Sequence, residues 1–92
     1  MLLQFEFILN DFAKLSDVVA ELTRISVKDL RKDSWSDTVT HVHFKFNGVF
    51  DVRSFVKRFP VSSFWVWNEK GELVDSFKKN DVVAGDIQIE LL

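Results

Sequence analysis

Two histidines are the side chains of this sequence whose type and spacing come nearest to chemistry. His41 and His43 are two residues apart in an alternating segment, so both side chains would project from one face of a strand. A metal could bridge them, but a zinc site needs three or four ligands. The chain has no third histidine and no cysteine, and a carboxylate would have to come from elsewhere. We therefore predict no metal site and interpret the pair as polar residues on a wet or edge face, with pH sensing as the alternative.

Nucleophilic catalysis would need a hydroxyl held beside one of these histidines. The candidate hydroxyls lie in no nucleophile elbow, and the three glycines are too scattered to form a phosphate-binding loop. These candidates are Thr38, Thr40, Ser62 and Ser63. We interpret the carboxylate pairs as solvated charge rather than as an acid and a base; they are Asp17 with Glu21 and Asp33 with Asp37. The sequence therefore predicts a protein that is not an enzyme and has no cofactor.

The charge balance argues against a general attraction to nucleic acid or to an anionic membrane. Twelve Lys and Arg stand against fourteen Asp and Glu, for a net charge of −2. A local basic patch is the exception, at Arg53, Lys57 and Arg58. The apolar start of the chain carries Glu6 and has no basic leader, so we expect neither a signal peptide nor a membrane span, and we expect a cytoplasmic protein.

The elements that must position these residues follow from the hydrophobic periodicity of the chain. With 92 residues, we expect one domain over 1–92. Period-two alternation predicts strands, and apolar steps of three and four residues predict helices. The predicted strands are 3–9, 26–33, 38–46, 62–67, 72–77 and 87–91. Segment 26–33 is ambiguous, because Val27 and Leu30 have helical spacing, and we interpret it as a short, polar edge strand. The predicted helices are 12–25, with an apolar stripe that begins at Phe12, and the segment from Asp51 to Pro60. Asn47-Gly48 is typical of a hairpin turn, but Asp51 as a cap and the apolar stripe after it favour the helix. Turns are expected at 33–37, 68–71, 78–81 and 85–86.

This order predicts an α+β fold of the ferredoxin-like type. Strand, helix, two strands, helix and strand form a two-layer sandwich, with both helices on one face of an antiparallel sheet and a C-terminal hairpin and strand extending it. The stretch 5–22 resembles the opening strand, loop and helix of ACT-type regulatory domains, with Asp11 and Leu15 or Ser16 at corresponding places. The resemblance spans roughly residues 3 to 67, and Ala13-Lys14 replaces the loop glycine of that family. It implies pairing between copies and a regulatory role.

Four consecutive bulky apolar residues, Phe64 to Trp67, are more than a sheet covered on one side can shelter. If Phe64 and Val66 face the helices, the two tryptophans face outward; in the reverse orientation Phe64 and Val66 do, and either pair needs a cover. We therefore predict a non-catalytic regulatory or interaction module that binds a partner protein or a second copy of itself. The predicted binding residues are Trp65, Trp67, His41, His43 and Lys45.

Three other interpretations remain open, two of the tryptophan face and one of the acidic loops. The segment 81–92 would cover the tryptophans in the simplest of them. Aromatic rings beside basic residues on an open sheet would also suit single-stranded nucleic acid, which the net charge makes the less favoured partner. A small inhibitor of an enzyme, acting through acidic loops, is the third; its residues would be Asp33, Asp37, Asp81 and Asp86.

Overall fold

The structure is a computed structural model that describes residues 2–78 and the backbone of residues 89–91. It is an α+β fold with an antiparallel sheet and two α-helices. The strands are β1 (Leu2–Leu9), β2 (Lys28–Ser34), β3 (Thr40–Asn47), β4 (Val61–Trp67), β5 (Leu73–Lys78) and β6 (Ile89–Leu91). The helices are α1 (Leu15–Arg24) and α2 (Val52–Arg58), and a short 3-10 helix (Phe12–Lys14) precedes α1.

The sheet has the strand order β2-β3-β1-β4-β5-β6, with every neighbouring pair antiparallel. The first strand of the chain therefore lies inside the sheet, between β3 and β4. From Gln4 to Leu9, the residues of β1 are paired on both sides; Glu6, for example, lies opposite His43 on β3 and Trp65 on β4. Because directly opposed residues share a sheet face, this register determines which side chains meet.

One face of the sheet and both helices enclose the hydrophobic core. The odd-numbered residues of β1 and the even-numbered residues of β3 point into it, as period-two alternation requires. Phe7 is fully buried at its centre, where its ring stacks on Phe64 with a centroid distance of 5.2 Å and meets Phe55 edge-on at 5.1 Å. Val18 and Leu22 of α1 join the same core. The opposite face has no helix over it within the described residues.

Two aspartate side chains cap the N-termini of the 3-10 helix and of α2. Asp11 accepts a hydrogen bond from the backbone N–H of Ala13 and starts the 3-10 turn. Asp51 accepts from the backbone N–H of Ser54 at 3.1 Å and from its hydroxyl at 2.8 Å, and so caps α2. These hydrogen bonds lower the pKa of Asp51, the backbone one having the larger effect. The predicted helix after Gly48 is confirmed, and a simple hairpin at that point is not formed.

Two sequence predictions need correction. Phe12 was expected on the buried stripe of the first helix, but it lies in the 3-10 turn and is 49% exposed. The buried residues of α1 are Val18 and Leu22. Ser34 was expected in the loop that follows the predicted strand 26–33, but β2 extends through it because Ser34 pairs with Thr40 of β3. The predicted turns at 78–81 and 85–86, with Asp81 and Asp86, lie outside the described residues except for Lys78 at the end of β5.

The remaining strand predictions agree with the structure. The ambiguous segment after α1 is a polar edge strand, as expected, and the alternating segment around His41 is a strand. The hairpin between β4 and β5 is confirmed, with Gly71 at φ +79° and its N–H donating to the Asn68 carbonyl at 3.0 Å. The last strand is described only at Ile89–Leu91, where it pairs with β5 and extends the sheet.

Candidate functional site: the open face of the sheet

We call the side of the sheet that points away from the helices the open face. It comprises the even-numbered residues of β1 and their neighbours on β3, β4 and β5. The register places all five predicted binding residues there: Lys45 and Trp67 flank Gln4, His43 and Trp65 flank Glu6, and His41 lies opposite Ile8. The expected common face of histidines and tryptophans is therefore present, while their role in binding stays a prediction.

Glu6 is the centre of the polar network on this face. Its Oε1 accepts a hydrogen bond from the indole Nε1 of Trp67 at 2.6 Å. Its Oε2 lies 3.2 Å from Nε2 of His41, and the two side chains are only 19% and 16% exposed. Both oxygens of a half-buried carboxylate thus have partners, as a charge in this position requires. One consequence is that the polar atom of Trp67 is already engaged within the chain.

The histidines form a second part of the network. Their rings lie 4.2 Å apart between centroids, as expected for residues two apart on a strand. Nε2 of His43 lies 3.2 Å from Oδ2 of Asp33, which β2 brings alongside. Trp35 in the loop after β2 packs its ring 5.0 Å from that of His41. Each imidazole is therefore held between a carboxylate and another ring.

Lys45 also faces a carboxylate. Its Nζ lies 3.6 Å from Oδ2 of Asp29. Asp29 has φ +53° and falls where the register between β2 and β3 shifts, between Lys28 and Arg31. A backbone irregularity at a sheet edge redirects side chains in this way. The ammonium group therefore does not stand alone on the open face.

The aromatic residues of the face differ in exposure. Trp65 and Trp67 are half-buried beside β5, where they lie opposite Ser76 and Leu73. Trp35 is 62% exposed at the edge beside the histidines. The indole N–H of Trp65 has no hydrogen-bond acceptor among residues 2–78. The face therefore presents large apolar area that the described part of the chain covers only in part.

The predicted basic patch lies elsewhere. Arg53, Lys57 and Arg58 are exposed on α2, on the helix side of the sheet. Arg58 reaches Glu21 of α1 at 3.4 Å and stacks over Phe59. The structure does not bring this patch to the open face.

Glu21 links the two helices through its guanidinium partners. Arg24 donates to it from Nε at 2.9 Å and from Nη2 at 2.6 Å. This hydrogen bonding is the main cause that lowers the pKa of Glu21. Glu21 thus pairs with Arg24 of its own helix and with Arg58 of the basic patch on α2.

Sequence reasoning missed three residues of the site: Glu6, Asp33 and Trp35. Glu6 alternates with buried neighbours in β1, which placed it on the outer face but did not reveal its partner, because register is a tertiary property. Asp33 was assigned to solvated charge and Trp35 to a loop. The third group beside the histidines is Glu6, which comes from β1, a neighbour of β3 in the sheet.

Comparisons with known proteins place no further constraint on the site. No protein-family model matches the chain, and no curated protein or solved structure matches it. The resemblance to ACT-type domains therefore stays a prediction. Among the described residues, none of the helices has the length and apolar character needed to cross a membrane.

Proposed function

We propose that this chain is a non-catalytic interaction module that binds another protein, or a second copy of itself, through the open face. The observation that supports this most is the set of tryptophans on a sheet face that no described helix covers, with Trp35 at 62% exposure. Tryptophan in a polar surround is typical of binding hot spots. A regulatory role of the ACT type is part of the same proposal.

The strand order favours a ferredoxin-like arrangement as the scaffold for this role. The order β2-β3-β1-β4, with antiparallel neighbours and helices after β1 and β3, is compatible with a split βαββαβ fold. In such a fold the helices occupy one face and the other is available for association. The pair β5 and β6 then widens that surface.

Nucleic acid is the less favoured partner. Lys45 is the lysine expected to neutralise phosphate on this face, and it is paired with Asp29. Glu6 and Asp33 add negative charge beside the histidines. Phosphate neutralisation dominates affinity for nucleic acid. The aromatic rings therefore serve a protein contact better than a stacking platform.

The contacts of the histidines also favour a non-catalytic role. In residues 2–78 the histidine side chains contact carboxylates and aromatic rings. Thr40 is buried, and its hydroxyl has no hydrogen-bond partner among the described residues. A hydroxyl nucleophile would need an adjacent base.

Sedimentation velocity over a concentration series tests self-association. We expect the wild type to self-associate as its concentration rises, and a Trp35→Ala/Trp65→Ala double variant to remain more monomeric at the same concentrations. Phe12→Ala is the matched control, because Phe12 is an exposed aromatic outside the sheet. Circular dichroism must show that both variants fold.

If the wild type is monomeric, the partner-protein arm applies. Immobilised wild type and the Phe12→Ala variant should retain the same protein from a lysate, measured by quantitative mass spectrometry, and the double variant should not. Equal behaviour of all three forms in both assays would exclude the open face as an interaction surface.

A further inference from the structure

The open face brings together the three groups that a metal site with nitrogen and oxygen ligands needs. Glu6, His41 and His43 each offer one ligand atom, and these atoms all lie within 4.8 Å of one another. We propose that this cluster binds a divalent transition-metal ion, with Zn²⁺ as the ion that suits it best. The proposal does not depend on partner binding by the same face.

The distances need only small side-chain rotations to reach metal geometry. Metal-to-ligand bonds of about 2.1 Å set tetrahedral ligand atoms about 3.4 Å apart. His41 Nε2 and Glu6 Oε2 are already 3.2 Å apart. The two histidine rings are neighbours on one strand at a centroid distance of 4.2 Å. The cluster is therefore close to a three-ligand cap with an outward position left for a further ligand.

The groups around the cluster hold it in place. Trp67 donates to Oε1 of Glu6, so Oε2 is the oxygen directed toward His41. Asp33 lies 3.2 Å from Nε2 of His43, and a carboxylate beside a ligating imidazole is a common outer partner in metal sites. Trp35 packs on His41. Trp67 and Asp33 are positioning residues in this scheme.

The ligand set selects the class of ion. Two imidazoles and one carboxylate suit Zn²⁺ and its neighbours Co²⁺ and Ni²⁺, whereas Mg²⁺ and Ca²⁺ prefer oxygen ligands throughout. The chain has no cysteine, so soft thiolate coordination does not compete. The local charge also favours a dication, because Glu6 and Asp33 each place a carboxylate 3.2 Å from one of the two histidines.

The composition makes the test unusually clean. His41 and His43 are the only histidines in the chain. Zinc binding that depends on imidazole must therefore occur at this pair, provided that the protein is purified without a polyhistidine tag. Calorimetric titration of the chelator-treated full chain with Zn²⁺ measures affinity and stoichiometry, and the visible absorption of Co²⁺ reports the ligand geometry.

We expect one Zn²⁺ per chain. Glu6→Gln and His43→Gln should each weaken binding at least about tenfold, since even outer partners of metal ligands have effects of that size. Gln4→Ala is the matched control, because Gln4 lies two residues before Glu6 on the same face of β1. This control should bind as the wild type does, and circular dichroism should show all variants folded.

Three results would overturn the proposal. They are absence of zinc binding by the wild type, binding that is unchanged in His43→Gln, and binding that is lost in His43→Gln but unchanged in Glu6→Gln. The last result would indicate a two-histidine surface contact without the carboxylate. If a variant unfolds, NMR of the wild type decides. Zn²⁺ should then shift or broaden the ring signals of His41 and His43, and unchanged signals would exclude the site.

Discussion

The hydrogen bond between Trp67 and Glu6 gives the sharpest test of how the open face is built. Trp67→Phe keeps most of the aromatic area and removes the indole N–H that donates to Oε1 of Glu6 at 2.6 Å. Hydrogen bonds to charged groups contribute about 1.5–3 kcal/mol. Water reaches part of this carboxylate, which is 19% exposed, so we take the lower end, about 1.5 kcal/mol. For a domain of this size the loss corresponds to a fall of roughly 6–12 °C in Tm.

Trp65→Phe is the matched control for this prediction. It makes the same chemical change on the same strand and face, but no residue in 2–78 accepts a hydrogen bond from Trp65. Both substitutions remove the same ring area from a half-buried tryptophan, so we expect Trp65→Phe to lose less stability than Trp67→Phe, by about the contribution of the hydrogen bond. Urea unfolding followed by circular dichroism measures both variants without relying on tryptophan fluorescence. Equal losses in the two variants, or a larger loss in Trp65→Phe, would refute the assignment of Trp67 as the residue that holds Glu6.

Three further predictions concern the scaffold. Phe7→Ala should destabilise the protein by about 3–5 kcal/mol, whereas Phe12→Ala should lose far less because its ring is 49% exposed; chemical denaturation compares the two, and similar losses would contradict the core assignment. The hydrogen bonds from Ser54 lower the pKa of Asp51, so the stability that its carboxylate contributes is complete above the unfolded pKa and is lost as pH falls through the folded pKa. Asp51→Asn cannot titrate, so its free energy of unfolding should fall less steeply than that of the wild type below about pH 4. Parallel acid-unfolding profiles of the two proteins would argue against this. Gly71→Ala should lower the free energy of unfolding by about 1 kcal/mol through backbone strain alone, since φ is +79° and the added Cβ meets no atom within 4 Å; a thermal melt equal to that of the wild type would disprove it.

Local patterns were sufficient to predict most of the elements of this chain. Alternation at Thr38–Phe46 identified β3, and Asp51 as a cap outweighed the turn signal of Asn47-Gly48 in favour of a helix. Local signals failed at Phe12, which lies in a 3-10 turn before α1 and is 49% exposed. Periodicity describes the faces of an element that already exists, but it does not report a change of helix type at the element's start.

The candidate site was harder to predict because its residues meet across strands. The sequence placed His41 and His43 on one face, and Trp65 and Trp67 on one face, from strand alternation alone. It could not place Glu6 between the two sets, since that depends on β1 lying inside the sheet with β3 and β4 on either side. A long-range register contributes the third group beside the histidines, and no local spacing rule encodes it.

The position of Glu6 on an interior strand connects the two proposals and also separates their tests. A carboxylate there is only partly reached by water, so its oxygens depend on Trp67 and on His41 or an ion for most of their interactions. Because Trp67 has its polar atom engaged, a partner protein would draw its contact energy mainly from Trp35 and Trp65. Trp35 also packs on His41, so its substitution could change association through a bound ion rather than through lost contact area. Association measured in the presence of chelator removes that route: a double variant that loses self-association or partner retention there does so through the apolar surface itself.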